Sequence, residues 1–88
     1  MYFVSKGGTQ VKVPERADAI ALVNSLNELD CPDQITKQEL IGTVPKSDIF
    51  ELSYMGMEVN VVGKDDALTV IDWLLTLKCT DISIEGKQ

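Results

Sequence analysis

Ser5–Asp33 reads SKGGTQVKVPERADAIALVNSLNELDCPD and Ser53–Asp81 reads SYMGMEVNVVGKDDALTVIDWLLTLKCTD, two stretches that align without a gap at an offset of 48 residues. Ten of the 29 positions are identical: Ser5/Ser53, Gly8/Gly56, Val11/Val59, Val13/Val61, Asp18/Asp66, Ala19/Ala67, Leu26/Leu74, Leu29/Leu77, Cys31/Cys79 and Asp33/Asp81. Composition alone gives about two identities over such a length, and a fixed period with matched apolar positions is the signature of a repeated supersecondary unit. Conservative pairs fill the spaces, among them Tyr2 with Phe50, Val4 with Leu52, Ile20 with Leu68, Leu22 with Val70 and Val23 with Ile71.

Each copy reads in the same order. Tyr2 and Val4 alternate with Phe3 and Ser5, Lys6, Gly7 and Gly8 supply a turn, and Thr9, Val11 and Val13 alternate with Gln10 and Lys12, which predicts a β-hairpin with one apolar face. Phe50, Leu52 and Tyr54, a turn near Met55 and Gly56, and Met57, Val59 and Val61 repeat the pattern. A hairpin alone is marginal in water, so a helix is expected to cover each one. Pro14 suits a first helical position, and Ala19, Ile20, Val23, Leu26 and Leu29 recur at helical spacing until Cys31 and Pro32. In the second copy Asp65 and Asp66 occupy the first turn, and Ala67, Leu68, Val70, Ile71, Leu74 and Leu77 make the apolar stripe. After each helix the chain turns back through Asp33–Thr36 and Asp81–Glu85. Ile82 and Ile84 alternate as in an edge strand, while Thr36 and Glu39 also have capping-box spacing; strands are the preferred reading.

The expected architecture is one α+β domain over residues 1–88, a tandem duplication of a ββα(β) unit. Residues 1–40 form the first repeat, 41–48 the connection and 49–88 the second repeat. Two units are too few for a solenoid, so they are expected to share one antiparallel sheet with both helices packed on one face, related by a pseudo-two-fold axis.

Eight basic and fourteen acidic side chains give a net charge of −6, which repels phosphates and anionic lipid at long range. No direct nucleic-acid or membrane binding is expected. No run of 18 apolar residues is present and the first residues lack the pattern of a secretory leader, so the expected compartment is the cytoplasm.

Chemistry is sparsely represented. The chain has no histidine, no Gly-rich phosphate loop and no nucleophile elbow. Asp65 with Asp66 and Asp30 with Asp33 are paired carboxylates, but helix ends normally solvate them as caps. Cys31 and Cys79 read as small buried hydrophobes; their matched positions leave a disulfide across the pseudo-two-fold axis as the alternative. No enzyme activity, cofactor or metal is expected.

The departures from the repeat are more informative. Trp73 replaces Ser25 about 120° from the centre of the stripe, and Leu75 replaces Asn27 about 80° away on the other flank. Trp73 and Leu75 either cover the connection residues Leu40, Ile41 and Val44 or anchor a protein partner, with Thr69, Asp72 and Thr76 as the rim. On the outer face of the first helix, Ala17, Ala21, Asn24 and Glu28 project away from the core. The sequence thus points to a small acidic protein-binding inhibitor or adaptor, of the class that includes immunity proteins, antitoxins and phage antagonists. Trp73, Leu75, Thr69, Asp72 and Thr76 are its expected contact residues. The alternative is a nucleic-acid mimic that blocks a DNA- or RNA-binding enzyme. A monomer and a homodimer fit the sequence equally well.

Overall fold

The computed structural model describes residues 1–86. In chain order the elements are β1 (Tyr2–Lys6), β2 (Thr9–Val13), α1 (Arg16–Glu28), β3 (Ile35–Glu39), a 3-10 turn (Lys46–Asp48), β4 (Ile49–Tyr54), β5 (Met57–Val62), α2 (Lys64–Thr76) and β6 (Ser83–Gly86). The fold is α+β, with antiparallel sheets ordered β2-β1-β3 and β5-β4-β6. The segments after the helices are strands: β3 pairs with β1 from Lys6↔Ile35 to Tyr2↔Glu39, and β6 pairs with β4 through Leu52↔Ile84.

A single shared sheet, as expected from the sequence, does not form. The inner edge strands β2 and β5 pack beside each other, yet no ladder joins them among the described residues. An outward-facing edge N–H still needs an acceptor, and each helix supplies one to the strand of the opposite half. The Lys12 N–H on β2 donates to Asp66 Oδ2 on α2 at 3.0 Å, and the Asn60 N–H on β5 donates to Asp18 Oδ1 on α1 at 3.1 Å. The carboxylates occupy the hydrogen-bonding directions that a β2–β5 ladder would use.

Local chemistry sets the element ends. The hairpin turns hold two successive residues at positive φ, Gly7 (56°) and Gly8 (85°) in the first and Met55 (53°) and Gly56 (76°) in the second, as a type I′ turn requires. A Cβ on Gly7 would lie 3.2 Å from Asp33 Cγ, so glycine is needed there for space as well as for φ. At Met55 the left-handed backbone is held by its N–H, which donates to Asp81 Oδ2 at 3.0 Å.

Pro14 lies before the first helix instead of inside it, Glu15 being the N-cap of α1. Both helices end in a Schellman arrangement. Asp30 and Lys78 take positive φ, the N–H groups of Cys31 and Cys79 reach back to the carbonyls of Leu26 and Leu74, and those of Asp30 and Lys78 to Asn27 and Leu75. This places each cysteine where the motif brings an apolar side chain back onto the helix. Cys79 is buried and Cys31 half-buried, both as free thiols.

Val4, Val11, Val13, Leu22, Leu26, Leu52, Val59, Val61, Val70 and Leu74 are fully buried in one cluster drawn from both halves. That continuity arises because α1 packs on β5 as well as on its own sheet, and α2 packs on β2 as well as on its own. The turn geometry yields a graded test. Gly8→Ala, where a Cβ meets open space, is expected to lower the urea-unfolding free energy by about 1–2 kcal/mol, the cost of a left-handed L-residue. Gly7→Ala is expected to cost more, because Asp33 must also move.

Candidate functional site

Each helix has two flanks, and the fold gives them different environments. On α2 the flank carrying Asp66 and Trp73 faces the first half. Trp73 is only 6% exposed and belongs to the core, and the Lys6 ammonium at the end of β1 sits 5.7 Å from its ring centroid. Lys6 Nζ also pairs with Asp33 Oδ2 at 2.9 Å. Trp73 is therefore not an exposed anchor in the free chain. The connection does not cover it either: Leu40 N–H donates to the Met1 carbonyl and Ile41 is fully exposed. The helical-wheel estimate placed Trp73 off the stripe because it considered one sheet beneath the helix; β1 and β2 of the other half extend the buried arc.

The counterpart position behaves alike. Ser25 is fully buried, donating to the Ala21 carbonyl at 2.6 Å and accepting from Tyr54 O–H at 3.1 Å, with Met57 Sδ 3.1 Å away. Burial raises the Tyr54 pKa, against the Ser25 hydrogen bond, which lowers it. Lys6 and Tyr54 are 48 residues apart, as are Ser25 and Trp73. At one site a large helix residue meets an adaptable lysine stem; at the other a small helix residue meets a large aromatic ring.

The opposite flank of α2 is open. Leu68 and Leu75 are 48% and 53% exposed. They lie about 140–160° around the helix from Trp73, on the side of β6, with half-buried Ile71 between them. Leu68 was expected within the buried stripe; it is exposed because α2 leans on β5, β2 and β4. Ile84 on β6, opposite buried Leu52 and so on the helix-facing side of the sheet, is 42% exposed. Leu68, Ile71, Leu75 and Ile84 form an apolar strip along one side of the molecule. In the other half the place of Leu75 holds Asn27 and that of Ile84 holds Lys37, opposite Val4, whereas Ile20, expected like its counterpart Leu68 within the buried stripe, is also exposed, at 36%.

Of the remaining expected contact residues, Asp72 and Thr76 are exposed and Thr69 is half-buried. Both threonine hydroxyls are engaged within the helix, Thr69 Oγ1 to the Asp65 carbonyl at 3.0 Å and Thr76 Oγ1 to the Asp72 carbonyl at 2.9 Å. On the outer face of α1, Ala17, Asn24 and Glu28 are exposed, but Ala21 is half-buried against the core. Sequence reasoning missed Leu68 and Ile84 as surface residues; the sole signal available was that β6 follows α2 too closely to be fully roofed by it.

Cys79 and Asp81 engage each other. Cys79 Sγ donates to Asp81 Oδ1 at 3.3 Å; burial and that carboxylate push the thiol pKa up, the reverse of an activated nucleophile. The same thiol and the Met55 N–H hold Asp81 below the usual carboxylate range. A 380 Å³ depression between the chain start and the connection is lined by Met1, Pro14, Glu15, Gly42, Thr43, Val44 and Ile49, with one carboxylate and no partner base. Among the described residues no group of three or more cysteine or carboxylate side chains could hold a metal ion, and no helix is long and apolar enough to cross a membrane. No family model matches the chain, and neither the curated proteins nor the solved structures contain a match to it.

The two flanks of α2 predict opposite mutational behaviour. Trp73→Ala should lower stability by about 3–5 kcal/mol, as for a buried aromatic, whereas Leu75→Ser should stay within about 0.5 kcal/mol. Urea denaturation followed by circular dichroism measures both.

Proposed function

We propose that this chain is a protein-binding inhibitor or adaptor that holds its partner along the strip formed by Leu68, Leu75 and Ile84, with Asp72 and Thr76 at the rim. One observation carries the reading: Leu75 and Ile84 stay exposed where the other half places Asn27 and Lys37, and with Leu68 they set three large apolar side chains along one side of the molecule. Scattered exposed leucines are ordinary, but apolar residues aligned along one flank are the usual anchor of an interface. Residues 49–88 carry seven acidic and three basic side chains, against seven and five in residues 1–48. The fitting partner surface is therefore an apolar ridge bordered by lysine or arginine, while a second copy of this half would bring like charges together.

The nucleic-acid mimic is less well supported. Mimicry needs free, ordered carboxylates, yet Asp18, Asp66 and Asp81 are engaged by backbone N–H groups and Asp33 by Lys6.

We further read the chain as a duplicated ββαβ unit with pseudo-two-fold symmetry. Its support is the recurrence, 48 residues apart, of the hairpin turns, the helix ends and the aspartate-to-strand bonds.

The test is capture from native lysate by wild type and by a Leu68→Ser, Leu75→Ser variant of unchanged circular dichroism. Loss of a partner that wild type retains is the expected result. Equal recovery by both proteins removes the strip as the site, and recovery that competes with DNA and disappears with added salt favours mimicry.

A further inference from the structure

The two carboxylates that bridge the halves are not equivalent. Asp66 is half-buried, and its Oδ2 accepts the Lys12 N–H. Asp18 is 6% exposed. Its Oδ1 accepts from the Asn60 N–H at 3.1 Å and, at 3.5 Å, from the Asn60 side-chain amide. Its Oδ2 is buried with no donor, and so is Asn60 Oδ1. Two acceptor oxygens without donors thus lie on either side of the contact between α1 and β5. In native interiors such groups are rare, because an ionised oxygen without a donor carries its full desolvation cost.

A proton resolves the arrangement. It removes the charge from the buried carboxyl, and with it the cost of holding an ionised oxygen that no donor meets. We propose that the Asp18–Asn60 contact is a proton-operated clasp between the halves, complete when Asp18 is a neutral acid and loosened when it ionises. This inference is independent of the binding strip.

The surrounding charges favour the neutral form. Burial raises the Asp18 pKa most, and the Glu15 carboxylate before α1 adds to the rise; the Asn60 N–H and side-chain amide on β5 and the polar backbone of Glu15 oppose it. The β-strands packed against α1 contribute no ion pair to Asp18; among the described residues the ion pair found is Lys6–Asp33. Since the folded value lies above the unfolded one, the stabilisation is fully present below the ordinary aspartate value and fades as pH rises through the folded value. The clasp tightens in acid and slackens toward neutrality.

Asp18→Asn keeps an oxygen for the Asn60 N–H and adds a permanent amide donor. Urea unfolding of wild type and Asp18→Asn between pH 4 and pH 8 tests the clasp. The Asp18→Asn folded-to-unfolded ratio, relative to wild type, is expected to climb with pH to about fivefold, the worth of one recovered hydrogen bond. A flat Asp18→Asn ratio, or one below unity at pH 8, overturns the proposal. Should the variant not fold, the side-chain carboxyl resonance of Asp18 in wild type decides. A midpoint above the ordinary aspartate range supports the clasp, and one at or below it rules the clasp out.

Discussion

Two backbone N–H groups, those of Lys12 and Asn60, determine how the halves of this molecule meet. Both sit on inner edge strands and point at the opposite half, where the obvious solution is a β2–β5 ladder and a continuous sheet. Aspartates from the first turns of the helices accept them instead. A carboxylate reaching across from a helix needs that helix close to the neighbouring strand, so each helix straddles both sheets. From that follows the cross-half core, in which Val11 and Val13 share one cluster with Val59, Val61, Val70 and Leu74.

Straddling creates two further contacts, and their side chains must fit pairwise. Trp73 reaches Lys6 and Ser25 reaches Tyr54. Exchanging partners would set Trp73 against Tyr54, two large rings in one space, and Ser25 against Lys6, leaving a void and an unmet tyrosine-sized volume. Overpacking and cavity formation each cost on the order of 1–5 kcal/mol. The mismatch discriminates between correct assembly of unlike halves and pairing of two like halves from different chains. Symmetric pairing offers the same backbone bonds but not the same packing.

Much of this was legible in the chain. Alternation over Tyr2–Val13 and Phe50–Val61, the Gly-containing turns and the helical spacing of Ala19, Leu26, Ala67 and Leu74 identify the hairpins and helices, because these signals are local. The matched Cys31 and Cys79 were readable as apolar positions, and the helix-end geometry explains why. What stayed hidden is relational. Asp18 and Asp66 look like ordinary first-turn acids until the opposite strand is placed beside them. Trp73 lies off the stripe by helical angle and is buried all the same, since a wheel cannot show a second sheet. Leu68 lies nearer the stripe and is exposed, because α2 leans toward β2 and away from β6.

That lean links the structural and surface properties of α2. The Lys12–Asp66 bond and the Trp73–Lys6 stacking draw the helix toward the first half; the further it goes, the less of β6 it covers. Ile84 and the Leu68–Leu75 flank are thus exposed as a consequence of the contact that joins the halves. On α1 the place of Leu75 holds the polar Asn27. Ile71 packs against the core from this flank, while Leu68, Leu75 and Ile84 leave about half of their surface uncovered.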